Sequence, residues 1–156
     1  MNKKYVIFAP HADDEVIGCH DLLLTGLVER ILFASRDVTS EELIKVKDEF
    51  NCQVDLFDYK HIPEHRILLF PDPVFETHPL HRQLGHIGES LLREGKSEVI
   101  FYTTNMNTPY IYEVENPARK KSCLTRLYSH KASLWKYEHK YFLFEGYTKW
   151  IIKWEG

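Results

Sequence analysis

His11, Asp13, Asp14 and Glu15 fall within five consecutive residues, and His78 and His81 stand three apart much further along the chain. These are side chains that hold a divalent cation or move protons. Helix capping accounts for part of the first group, because Asp is a good N-cap and an acid in a first helical turn gains about 0.3–1 kcal/mol from the helix dipole. That explains one or two acids and leaves His11 over. The second group is ambiguous alone: Pro79 suits a first helical position, histidines also cap helices, and the chain has nine of them. The two groups mean more together, since a His, Asp, His set converging at one place suits zinc.

The flanking sequence predicts elements that bring about such convergence. Lys4 to Ala9 is a short apolar run stopped by Pro10 and reads as a strand, and Asp13 to Leu27 carries apolar residues at helical spacing. Strands are expected at Arg30 to Ala34, Gln53 to Phe57, Arg66 to Phe70 and Glu98 to Tyr102. Helices are expected at Ser40 to Phe50, His78 to Arg93 and Ala118 to Trp135, ahead of the aromatic stretch Tyr141 to Phe144. Strands alternating with helices imply a small Rossmann-like α/β domain, a mostly parallel sheet with helices on both faces. Ligands in such folds bind outside the carboxyl ends of the strands. The loops Pro10 to Glu15 and Pro71 to His81 both follow strands, so both reach that edge.

Composition narrows the class. The 156 residues are read as one domain, and 44% hydrophobic content is enough for a real core. Twenty Lys and Arg against 23 Asp and Glu give a net charge of −3, which argues against a dedicated nucleic-acid binder. No apolar run approaches the roughly 20 residues of a membrane span, and no cleavable apolar segment follows Lys3 and Lys4. A cytoplasmic setting is expected, with Cys19, Cys52 and Cys123 reduced.

His11-Ala12-Asp13-Asp14-Glu15 resembles the His-Pro-Asp-Asp-Glu signature of the PIG-L (LmbE-like) zinc-dependent de-N-acetylases, and His78-Pro79-Leu80-His81 resembles that family's second motif. The segment Arg119 to Trp135, with Lys121, Leu124 and Tyr128-Ser129-His130, is similar to the family's late helix. The resemblance implies zinc bound by His11, Asp14 and His81, with Asp13 as general base and a protonated His78 facing the developing oxyanion. It implies removal of an acetyl group from an N-acetylated amine, such as an N-acetylglucosamine-containing or similar small polar compound. Ala12 departs from the family's proline, and Leu80 departs from an Asp between the two histidines. Thr39 stands near the place of a family arginine, for which Arg36 is the replacement candidate in substrate binding. The alternatives are a non-catalytic metal- or ligand-binding domain of the same fold and a metal-dependent phosphoesterase. The latter would need further acidic ligands where the second motif supplies imidazoles.

Asn105 follows a strand and is a candidate substrate contact. Cys19 and His20 are expected to pack within a helix, and His61 and His65 to lie in a surface loop around Pro63. The basic stretch 119–140 reads as a solvated face that would favour a phosphate-bearing substrate if it converged on the site. Tyr147, Trp150, Ile151 and Trp154 fall at helical spacing and are expected to pack on the domain, with association into a homo-oligomer as the other use of such a stripe.

Overall fold

Five short apolar runs pair as parallel strands in a computed structural model that describes residues 2–134 and 139–148. They are β1 (Tyr5–Ala9), β2 (Val28–Phe33), β3 (Gln53–Leu56), β4 (Ile67–Pro71) and β5 (Glu98–Tyr102), in the order β3-β2-β1-β4-β5. β1 is central, every one of its residues is buried, and Ile7 pairs with Ile31 on one side and Leu69 on the other.

Alternation along the strands divides the core in two. Tyr5, Ile7, Ala9, Ile31 and Phe33 face one side, where they meet Val16 and Leu22 of α1 (Asp14–Leu24), Val46 of α2 (Ser40–Phe50) and Leu124 of α4 (Pro117–Tyr128). Val6, Phe8, Leu68 and Phe70 face the other side, where they meet Leu84 of α3 (Pro79–Glu94). Right-handed crossovers require this division. The chain steps from β1 to β3 in one direction, so α1 and α2 share a face, then returns past β1 and steps outward again, so α3 covers the opposite face. The fold is the expected α/β Rossmann-like sheet with helices on both faces.

α3 lies unusually close to β4. A Cβ at Gly88 would stand 2.7 Å from the Phe70 ring, and one at Gly85 would collide with the Pro71 carbonyl. Glycine at both positions lets the helix that carries His81 settle directly on the strand it follows.

Beyond β5, β6 (Ile111–Glu113) pairs antiparallel with β7 (Phe144–Gly146), which the short α5 (Lys140–Leu143) precedes. The chain then runs antiparallel along β5: Thr103 N–H donates to the Gly146 carbonyl at 3.0 Å and Thr148 N–H to the Phe101 carbonyl at 2.9 Å. Tyr147 is therefore not helical, as its spacing suggested. It bridges Tyr102 and is buried, because the β5 edge offers unpaired backbone groups that a strand can satisfy and a helix cannot. Trp150, Ile151 and Trp154 lie outside the described residues. The long helix expected from Ala118 ends as α-helix at Tyr128 and tightens into a 3-10 turn over Ser129–Leu134. Trp135 lies outside the described residues.

α1 ends at Leu24, short of the expected Leu27, and is broken at Cys19 (φ −136°, ψ 24°). The backbone groups released by the break are satisfied by a fully buried ion pair. Lys120 Nζ donates to the Ile17 carbonyl at 2.7 Å and to Glu145 Oε2 at 2.8 Å, and the Glu145 carboxylate accepts the N–H groups of His20 (2.9 Å) and Asp21 (3.1 Å). Among the described residues no helix is long and apolar enough to cross a membrane.

Candidate metal centre

β1 and β4 are hydrogen-bonded neighbours, but the chain reaches β4 only after building β2 and β3, so the topology switches direction between them. The crevice at such a switch point is where α/β sheets bind ligands. His11 and Asp14 enter it from the end of β1, and His81 enters it from the first turn of α3.

Their ligand atoms form a nearly equilateral triangle. His11 Nδ1 lies 3.3 Å from Asp14 Oδ2 and 3.2 Å from His81 Nε2, and His81 Nε2 lies 3.2 Å from Asp14 Oδ2. A tetrahedral ion with bonds of about 2.0–2.1 Å separates its ligands by about 3.3–3.4 Å, so the three residues fit a zinc-sized ion with one position left over. They are the one group among the described residues with at least three metal-competent side chains in reach of each other. All three line a cavity of about 460 Å³, walled also by Asp13, Ile17, His78, Thr104, Asn105, Lys131 and Tyr141.

The surroundings prepare the ligands. His81 Nδ1 faces Glu76 Oε1 at 3.2 Å, which assigns its proton to Nδ1 and turns the Nε2 lone pair to the triangle. Glu76 is buried and also accepts Thr104 N–H at 2.9 Å and Thr104 Oγ1–H at 2.6 Å. Burial disfavours charge on His81, yet Asp14 and Glu76 outweigh it and raise its pKa to about 10 without a metal. Burial likewise works against ionised Asp14, but His81 and His11 hold its carboxyl well below the usual carboxylate range. A carboxylate fixed as an anion between two imidazoles is a strong cation ligand.

Asp13 is the strained residue. Its φ of 114° and ψ of −29° lie where side chains other than glycine rarely go, and although it occupies the N-cap of α1 its side chain makes no capping bond. Burial and the adjacent Asp14 raise its pKa to about 8. Glu15, fully buried, accepts the Asp13 N–H at 2.8 Å and the Tyr128 hydroxyl at 2.7 Å. Burial pushes its own pKa up to about 7.

His78 caps a helix. Its Nδ1 accepts the Leu80 N–H at 3.1 Å as the N-cap of α3, which leaves the proton on Nε2. Burial, then His81 and His11, lower its pKa. With Nδ1 accepting the Leu80 N–H, the ring has its Nε2–H to offer the cavity. Leu80 does its orienting through its backbone, while its side chain packs on the α3 core cluster.

No family model, curated protein or solved structure matches this chain.

Of the two candidate substrate contacts, Asn105 lines the cavity, with its amide engaged by Thr103 Oγ1 (2.8 Å), Asn107 N (2.9 Å) and the Phe75 carbonyl (3.0 Å). Arg36 does not reach the cavity wall. It donates to the Phe57 carbonyl at 2.8 Å and ties the ends of β2 and β3 together. The basic stretch is dispersed: Arg126 pairs with Glu49, Lys120 is buried with Glu145, Lys121 lies over Phe142, and Lys131 reaches the cavity and donates to the Ala12 carbonyl. The buried lysine of the late helix is thus Lys120, one residue before the Lys121 of the sequence resemblance. Cys19 and His20 are buried in α1, and His61 is exposed and paired with Asp58 at 2.7 Å. Sequence reading missed Glu76, Thr104 and Tyr141, and took Lys131 only as one charge of the basic stretch. Glu76 carried a signal, since it lies in the strand-end loop that holds His78 and is an acid two residues before it.

Proposed function

We propose that this protein is a zinc-dependent amidohydrolase of the PIG-L (LmbE-like) kind that removes an acetyl group from an N-acetylated amine, an N-acetylglucosamine-containing or similar small polar compound. The observation that carries the reading is the triangle of His11, Asp14 and His81, with sides of 3.2–3.3 Å, opening on a cavity that Asp13 and His78 also line. Zinc held there supplies a Lewis acid and draws the pKa of a bound water towards about 7.

The chain's own residues do the rest. Asp13 Oδ takes the proton of the attacking water, and a cation at the triangle favours the ionised form it needs, offsetting the burial and the Asp14 charge that raise its pKa. The water oxygen bonds to the acyl carbon, and His78 Nε2–H donates to the carbonyl oxygen as negative charge develops on it. The carbon–nitrogen bond then breaks, Asp13 returns its proton to the amine, and acetate and the free amine leave. A cavity of about 460 Å³ suits a small substrate. The cytoplasmic setting belongs to the same reading and is supported by three buried, unpaired thiols.

The test is to purify the protein, quantify bound zinc, and assay the zinc-loaded form for acetate release from N-acetyl sugars, nucleotide sugars and N-acetylated nucleosides. Stoichiometric zinc with zinc-dependent acetate release is expected. Zinc without turnover on any of them would favour a non-catalytic binding domain, phosphate release from simple esters would favour a phosphoesterase, and no metal uptake would overturn both enzyme readings.

A further inference from the structure

The Ala12–Asp13 peptide is gripped at both of its polar atoms. Its carbonyl accepts a hydrogen bond from Lys131 Nζ, and its N–H donates to Glu15 Oε1 at 2.8 Å, while Glu15 Oε2 accepts the Tyr128 hydroxyl at 2.7 Å. Tyr128 is the last residue of α4 and Lys131 lies in the 3-10 turn after it, with the ammonium 5.7 Å from the Tyr128 ring centroid. A peptide unit is planar, so holding its oxygen and its N–H fixes the whole plane. The next plane is fixed too, because the Asp13 carbonyl accepts Val16 N–H (3.1 Å) and Ile17 N–H (2.9 Å) in the first turn of α1. Asp13 Cα therefore joins two planes that cannot turn independently, and its φ of 114° is their imposed relation. Conformations this uncommon persist only where the surroundings over-determine them, and they cluster at functional sites.

We propose that the end of α4 is a clamp on the Ala12–Asp13 peptide, in which Tyr128, acting through Glu15, and Lys131 are positioning residues that aim the Asp13 carboxyl into the cavity. The proposal rests on the reading of Asp13 as the base of an amide hydrolysis. Both clamp residues come from one segment, so the clamp engages as a unit when α4 docks. It also gives Ala12 a context: a backbone that lacks the rigidity of a proline is held by hydrogen bonds on either side of the following peptide.

Two readouts test the clamp, and only one needs turnover. Lys131→Met removes the grip on the carbonyl, Tyr128→Phe removes the hydroxyl that holds Glu15 in its grip on the N–H, both with little change of volume, and Lys131→Arg keeps a donor. Amide hydrogen exchange at Asp13, referenced to the Phe8 amide in β1, should accelerate in Tyr128→Phe and Lys131→Met and recover in Lys131→Arg. On the substrate that the wild type turns over, each loss should lower kcat by up to about 10²-fold with KM unchanged and zinc affinity not reduced, the scale set by misplacing a catalytic group by about 1 Å. The double variant should fall little below either single one, since a peptide freed at one end gains little from release at the other. Unchanged Asp13 exchange, losses that multiply in the double variant, or a Lys131→Met effect confined to KM would overturn the proposal. Should Tyr128→Phe fail to fold, Lys131→Met and Lys131→Arg carry the test. A wild type that releases no acetate refutes the deacetylase reading, and the exchange measurement still decides the clamp.

Discussion

Replacing Glu76 with Gln probes the proposed metal centre without touching any residue of the triangle. Three donors converge on Glu76 Oε1: His81 Nδ1 at 3.2 Å, Thr104 N at 2.9 Å and Thr104 Oγ1 at 2.6 Å. Glutamine keeps an oxygen for all three and removes the charge, so the variant retains the shape of the loop while His81 loses the anion that fixes its tautomer. Losing a carboxylate of this kind typically costs 10–100-fold in metal affinity, or about 1.4–2.7 kcal/mol. Glu76→Ala should lose at least as much, and it also strands the buried Thr104 N–H, adding about 1–3 kcal/mol of destabilisation. Zinc affinity measured by chelator competition, alongside urea denaturation of the zinc-free protein, separates these effects. Glu76→Gln should weaken zinc at least tenfold and lower zinc-free stability less than Glu76→Ala does, since it loses the charge that faces His81 but keeps the bonds to Thr104. A folded Glu76→Gln protein with wild-type zinc affinity would refute the assignment of His81 as a ligand oriented by Glu76.

Asp13→Asn should keep zinc while acetate release falls by at least about 10²-fold, and His81→Ala should lose zinc itself; metal analysis of both proteins beside their turnover checks the division of roles. Lys120→Met leaves the buried Glu145 carboxylate without its cation and should cost about 3–5 kcal/mol, read as a shift of the urea midpoint. His20 gives a pH signature, because burial and then the positive charge of Lys120 lower its pKa from 6.5 to about 4. Its contribution to stability is therefore full above pH 6.5 and lost as pH falls towards about 4, where the unfolded chain binds a proton that the folded one refuses. The melting temperature of His20→Phe should fall less than that of the wild type between pH 7 and pH 4; parallel curves would refute the burial of a neutral ring.

The fold was legible because its periodicities are clean. Ser40–Phe50 and Glu98–Tyr102 match the expected bounds, and the capping box of Thr39 and Glu42 gives α2 a local start signal. The β6–β7 pair went unread, since three-residue strands far apart in sequence carry no period of their own. Tyr147 misled for a related reason: its spacing fits a helix, and only the bare edge of β5, a tertiary fact, makes it extended. At the site, His11, Asp13, Asp14, His78 and His81 declared themselves by residue type at strand ends. Glu76 and Lys131 act through distances of five residues and more, to His81 and Ala12, that no local pattern encodes. That Arg36 bonds the Phe57 carbonyl was not legible, because a strand-end position says where a residue begins and not where a long side chain goes.

The broken α1 has a consequence for how the protein is made. The N–H groups of His20 and Asp21 donate to Glu145, 125 and 124 residues later in the chain. During synthesis the helix that carries Asp14 therefore lacks these two bonds until residue 145 has cleared the ribosome. Contacts of such long sequence separation form slowly. An N-terminal fragment reaching only through α3 would contain every residue of the metal triangle and yet lack both Lys120 and Glu145. A nascent chain of that length would present the triangle's side chains on an unfinished helix, and the site would mature only once residues 120 and 145 have been made.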